Sequence, residues 1–293
     1  MLLYDRMLSE ANRTDSRRET QSLIADLKIA TVIVADNVAR YYFESEQDYW
    51  DLEKDFPNLA PPFERFFIEY RSPRQMRVEG KTIDMEPFRV GILFGGRQGD
   101  TGWELSGIYF HEIGKNIYPG LGTFTMLVDR DGHIMKDSNN NAMKIFYDPQ
   151  RLDRLFPEGY SNINIVGAIR MMINPALLAI SFMHCKNVTL VQQKTSARIA
   201  RKARRHRGII PVRYYILDIE PMKQVLRTDG ASDKTGIKHA LHICRGHFKD
   251  YSQGRGLFGK YRGMYWWSDQ VRGNPSEGIV VKDYHVKGKE DAR

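Results

Sequence analysis

Between Thr20 and Tyr42 apolar residues recur every three or four positions. Leu23, Leu27, Ala30, Val34 and Val38 fall on one side, and Asp26, Lys28, Asp36 and Arg40 fall largely elsewhere. That spacing predicts an amphipathic helix over Thr20–Tyr42 that packs on a core. After the rigid connector Leu59–Pro62, whose prolines fix the backbone, the period changes to two. Phe63–Arg71 alternates Phe66, Ile68 and Tyr70 against Arg65, Phe67 and Glu69, as a strand does. Phe88–Phe94 and Trp103–Phe110 read as a strand pair around the glycine-rich run Gly95–Gly102. A phosphate cradle needs such glycines, but so does a hairpin turn, and the flanking strands favour the hairpin. Thr123–Val128 and His133–Lys136 flank Asp131-Gly132, the best hairpin signal in the chain, and Met143–Tyr147 adds a strand.

The centre of the chain is helical by pattern. Asn162–Met172 predicts one helix, and Asn174-Pro175 starts a second, with Asn as N-cap and Pro in the first turn, running to about Met183. Arg170 and the Asn174-Pro175 break make Ile163–Met183 two buried helices rather than a membrane span. Val188–Val191 is a short strand, and Ile209–Ile219 is a core strand with Val212, Tyr214 and Ile216 on one face. Ala240–Phe248 alternates as a strand, Met264–Val271 returns, and the polar, glycine-rich Asp250–Gly263 is a long functional loop between them. The fold class is therefore α+β, a mostly antiparallel sheet with N-terminal and central helices, because strands and helices do not alternate regularly. A composition shift near Pro149–Tyr160 separates residues 1–155 from residues 156–293, with one continuous domain as the alternative.

Hydrophobic content of 42% and charged content of 27% are ordinary for a globular protein, but the net charge of +8 points to an acidic partner. Cys185 and Cys244 are the only cysteines, and no targeting segment follows Met1-Leu2-Leu3, so a reducing cytoplasm is expected. Lys194–Gly208 carries Lys194, Arg198, Arg201, Lys202, Arg204, Arg205 and Arg207 with no acid. Arginines this dense repel one another until a counter-charge arrives, which favours phosphate contact over a merely solvated loop. Nucleic acid is the expected partner, with RNA favoured over DNA because Tyr261, Tyr265, Trp266 and Trp267 would stack unpaired bases.

Chemistry is most concentrated in Ile237–Gly273. On an unbroken strand Arg245, His247 and Lys249 share a face, spaced about 7 Å apart, and Lys260 reaches them from the loop. These four are the candidate catalytic residues: His247 as general acid or base, Arg245, Lys249 and Lys260 stabilising charge on a phosphate. Against this stands the plainer reading of His239 and His242 as hydrogen-bonded core residues and of the arginines as solvated. Gly254–Lys260 matches the start of a phosphate-binding loop, but Tyr261 stands where a magnesium-binding hydroxyl belongs and no helix pattern follows. His242 and Cys244 point away from His247 on a strand, which argues against zinc; no metal or other cofactor is expected.

HICRGHFKDY followed by GLFGKYRGMYWW and QVRG resembles a motif of uncharacterised proteins from bacteria, their phages and mobile elements. APPFERFFIEYR and NPALLAISFMHCKNV resemble other blocks of that group. The resemblance implies a mobile-element setting and brings no catalytic residues. The leading expectation is a nucleic-acid-binding protein, in its narrower form a metal-independent ribonuclease of defence or host inhibition. The alternatives are a non-enzymatic binding or assembly protein for an acidic partner and a nucleotide-modifying transferase.

Overall fold

Thr31–Val34 reads TVIV, an unbroken apolar run of mostly β-branched residues. Such side chains lose rotamer freedom in a helix and suit a strand buried on both faces. In the computed structural model the expected Thr20–Tyr42 helix is accordingly three elements: α2 (Arg18–Ile29), β1 (Thr31–Val34) and α3 (Asp36–Glu44). Helical periodicity through Ala30, Val34 and Val38 conceals the strand, because a short apolar run satisfies both periods. The structure describes residues 2–11, 18–45, 50–78, 81–84, 87–113, 116–147, 149, 165–193, 214–219, 240–244, 246–268, 270–272 and 274–279.

The chain forms two units, Met1–Ile219 and Glu220–Arg293. The expected division near residue 155 falls inside the first unit, because later strands pair with earlier ones. After α1 (Leu3–Ala11) come α2, β1 and α3, then β2 (Arg65–Arg71), the small hairpin β3 (Gln75–Val78) and β4 (Lys81–Asp84), β5 (Arg89–Gln98), β6 (Gly102–Ile113) and β7 (Asn116–Asp129). They are followed by β8 (Ile134–Met135), β9 (Lys144–Tyr147), α4 (Ile165–Met183), β10 (Val188–Gln193) and β11 (Tyr214–Ile219). One nine-stranded sheet has the order β10-β11-β1-β2-β5-β6-β7-β8, with β9 also on β7. Here β1 runs parallel to both β2 and β11, and the other pairings are antiparallel. The α+β class stands, but the sheet is mixed where a mostly antiparallel one is expected. The difference is β1, since a parallel neighbour arrives through a crossover such as α3 rather than through a hairpin turn.

Polar contacts fasten the exit of β1 to both neighbours. Ala35 N donates to the Glu69 carbonyl at 2.9 Å, Arg71 N to Asp36 Oδ1 at 2.8 Å, and Asn37 Nδ2 to the Leu217 carbonyl at 2.9 Å.

Helices cover the two faces of this sheet. On one, Leu3, Tyr4, Met7, Leu8 and Leu27 from α1 and α2 bury Val32, Phe67, Leu93 and Phe110. On the other, α3 and α4 pack together and against β2. α4 is one helix running through Asn174-Pro175, not two. Proline removes one backbone hydrogen bond, yet every residue from Ile173 to Phe182 is buried, which holds the segment in place. Asn174, expected as an N-cap, instead donates from Nδ2 to the Tyr42 hydroxyl at 3.1 Å, and the Tyr70 hydroxyl donates to the Met172 carbonyl. With a mean hydropathy of 1.6 over Val166–Met183, α4 is long and apolar enough for a membrane span, but here it is packed against the sheet and α3.

An aromatic row crosses the α4 face. Phe66 stacks on Phe94 at 4.7 Å between ring centroids, and Phe94 meets Phe124 edge-on at 5.7 Å. Gly107 lies in register between Phe94 and Phe124, and a Cβ there would stand 2.2 Å from the Phe124 ring. Gly107 is thus what lets rings two strands apart meet.

Beneath α1 lies a buried carboxyl. Glu69 accepts the backbone N–H groups of Tyr4 at 2.9 Å and Leu3 at 3.3 Å, so a β2 side chain caps the helix start. Burial pushes its pKa up to about 7, against those hydrogen bonds and the Arg89 guanidinium. Both oxygens are engaged by backbone, which makes Glu69 a strut for α1 and not an acid–base catalyst.

Two measurements check this packing. Gly107→Ala should lower stability by roughly 1–3 kcal/mol, read from the urea midpoint, because the added methyl displaces Phe124. For Glu69 the folded pKa lies above the unfolded one, so its contribution to stability is complete below the unfolded value of about 4.5 and is lost as pH rises through about 7. Stability should decline across that window by at most about 1.4 kcal/mol per pH unit from this group, and Glu69→Gln should flatten the decline.

Candidate nucleic-acid interface

The second unit contains β12 (Ala240–Cys244), β13 (His247–Asp250), β14 (Met264–Trp267), β15 (Gln270–Arg272) and β16 (Asn274–Ile279). Each expected long strand is two: β12 pairs with β15 and β16, whereas β13 pairs with β14 alone. Gly246 lies in the interruption, so strand alternation does not carry across it, and Arg245 lies outside the described residues. Of the expected row, His247 and Lys249 lie two residues apart on one face of β13, and both are exposed.

The register His247↔Trp267, Phe248↔Trp266, Lys249↔Tyr265 and Asp250↔Met264 sorts this hairpin into two faces. Phe248 and Trp266 meet on one, with ring centroids 4.7 Å apart. On the other, Tyr265 is buried by the returning loop, packing edge-on with Tyr251 at 6.0 Å and Tyr261 at 6.2 Å. Lys249 Nζ sits 5.3 Å from the Tyr251 ring, and Lys260 Nζ sits 5.4 Å from the Tyr261 ring. Two of the four candidate catalytic residues therefore attach to one tyrosine cluster through cation–π contacts. The Tyr251 hydroxyl is buried without a hydrogen-bond partner among the described residues.

Local hydrogen bonding makes the loop an ordered structure. Asp250 Oδ1 accepts from Ser252 N at 2.8 Å, Tyr251 N donates to the Gly263 carbonyl at 2.9 Å, and Leu257 and Tyr261 exchange backbone bonds at 2.9 and 3.0 Å. At the tip Lys260 N donates to the Leu257 carbonyl at 3.1 Å. The two central residues have positive φ, 53° for Phe258 and 72° for Gly259, which is the signature of a type I′ turn. The phosphate-loop look-alike is this turn, followed by strand β14 rather than by a helix. Asn or Gly normally fills the first central position; a phenylalanine there costs about 1 kcal/mol or more.

The structure redistributes the expected aromatics. Tyr261, Tyr265 and Trp266 are buried and Trp267 is half-buried, so their packing supports the hairpin. The exposed ring is Phe258, with 70% of its surface accessible. The sequence signal for it is Phe-Gly in a slot that prefers Asn-Gly, visible only once the turn type is known. In the same hairpin Lys249, Arg255, Lys260 and Arg262 are exposed, with Asp250 the only exposed acid of the described hairpin.

The second cationic element belongs to the first unit. Gln193 pairs with Tyr214, so residues 194–213 connect adjacent antiparallel strands at the edge of the large sheet. Arg198, Arg201, Lys202, Arg204, Arg205 and Arg207 lie within that connection, outside the described residues.

Other titratable groups are explained by packing. His111 is buried against Tyr109, and burial pulls its pKa down to about 4. His184 Nε2–H donates to the Ala60 carbonyl at 2.8 Å, and burial pushes the Cys185 thiol up to about 12, which leaves it unreactive. Asp129, Asp131 and His133 cluster at the β7–β8 turn, where Asp129 Oδ1 accepts the N–H groups of Asp131 and His133 at 2.9 Å each. That is turn chemistry.

No protein-family model matches the chain, and no curated protein matches it. It is similar to a solved structure described as "Crystal structure of AcrVA2", at 11% sequence identity and a TM-score of 0.32, with 91% of this chain and 85% of that chain covered. The functional reading rests on the residues themselves.

Proposed function

We propose that this is a cytoplasmic nucleic-acid-binding protein, with RNA favoured over DNA. The observation that carries the reading is the β13–β14 hairpin, whose ordered loop exposes Lys249, Arg255, Lys260 and Arg262 against a single exposed acid. A cationic hairpin that also exposes an aromatic ring suits an unpaired, phosphate-bearing strand. The acid-free segment 194–213, anchored at both ends by the sheet, adds sequence-independent phosphate attraction. The exposed pair His247 and Lys249 on one face supports the narrower reading of metal-independent RNA cleavage. In it His247 transfers the proton, and Lys249, with Arg245 and Lys260, stabilises phosphate charge.

If the basic segment neutralises about six phosphates, affinity should fall on the order of a thousandfold between 50 and 200 mM salt. Replacing Arg201, Arg204, Arg205 and Arg207 together by Gln should weaken binding and flatten that slope; an unchanged slope would assign them to a solvated surface. For cleavage, labelled RNA should be shortened in EDTA, and His247→Ala should reduce turnover by roughly a hundredfold or more with binding and melting temperature preserved. A well-folded His247→Ala protein with undiminished turnover removes His247 from the mechanism.

A further inference from the structure

Phe258 combines two features that folding alone does not explain. It is the large hydrophobic side chain that the hairpin leaves exposed among the described residues, and its backbone sits in a left-handed conformation with φ of 53°. The turn would form more readily with Asn or Gly at this position, so the ring is kept at a cost to the turn that presents it. With 70% of its surface accessible the ring is uncovered, and the apolar cluster of Tyr251, Leu257, Tyr261, Tyr265 and Trp267 forms without it. A ring that is exposed and is also held in a disfavoured backbone conformation is a candidate contact for an external partner.

Charge selects the class of that partner. Arg255, Lys260 and Arg262 bracket the tip in sequence, and all are exposed. Apolar pockets on proteins do not call for this many cations, whereas a nucleotide offers a flat π-face beside a phosphate. In a duplex the faces of the bases are hidden by their stacked neighbours, so the suitable target is a single strand or an unpaired loop. We infer that Phe258 stacks on an unpaired nucleobase while Arg255, Lys260 and Arg262 engage the adjoining phosphates. The inference rests on the nucleic-acid reading and names the residue that contacts the base.

The test uses the full chain, a short fluorescein-labelled oligouridylate and a matched RNA duplex, with affinity read by fluorescence anisotropy. Phe258→Asn should melt at or above the wild-type temperature, because Asn suits the turn, yet bind the single strand roughly tenfold or more weakly. Phe258→Trp should retain the wild-type affinity, and duplex binding should be the same for all three proteins. If Phe258→Asn binds the oligouridylate as tightly as wild type, or weakens single strand and duplex equally, stacking is overturned while nucleic-acid binding stands. If the wild type binds neither RNA at low salt, the underlying reading is lost and the stacking role falls with it.

Discussion

Two-sided pairing of one short strand is the constraint on which the first unit depends. β1 contributes four residues, and through them β2 on one side and β11 on the other become parts of a single sheet. In the observed order β10 and β11 reach β2 and the rest of the sheet through β1. Val32 and Ile33 are fully buried, Val32 in the layer under α1 and α2 and Ile33 alternating to the opposite face, so β1 contributes to both faces of the sheet. Polar ties from Ala35, Asp36 and Asn37 then fasten its exit to both neighbours.

Much of the sheet is legible in the sequence because its hairpins announce themselves. Asp131-Gly132 marks the β7–β8 turn, the pattern of Phe63–Arg71 marks β2, and the strand pair Phe88–Phe94 and Trp103–Phe110 around a glycine run marks β5 and β6. What escapes is β1, whose apolar residues fit a helical stripe as well as a strand, and α4, which runs through a proline because tertiary burial overrides a local break. Both errors arise from the same source: local pattern does not contain the contacts that decide between alternatives. The mixed character of the sheet follows from β1 and is hidden with it.

The hairpin of the second unit shows the same limit at the level of function. His247, Lys249 and Lys260 stand out as cations in a glycine-rich stretch, and they are exposed in the fold. Tyr265 and Trp266 look like a stacking platform, yet they are buried, because an extended hairpin with few other apolar residues uses its largest rings as a core. Phe258 looks like one more loop residue until its backbone angle is known. Phe258 is exposed and conformationally disfavoured, whereas the richer aromatic cluster of the same hairpin is spent on packing.

The proposal to test is that two cationic segments, residues 194–213 between β10 and β11 and the loop of the β13–β14 hairpin, meet nucleic acid. Ultraviolet crosslinking of the full chain to single-stranded RNA containing 4-thiouridine, followed by mass spectrometry of the linked peptides, tests it most directly. The account predicts crosslinks within residues 194–213 and within residues 247–263. Crosslinks confined to residues 1–193, or binding that leaves both segments unlabelled, would contradict it.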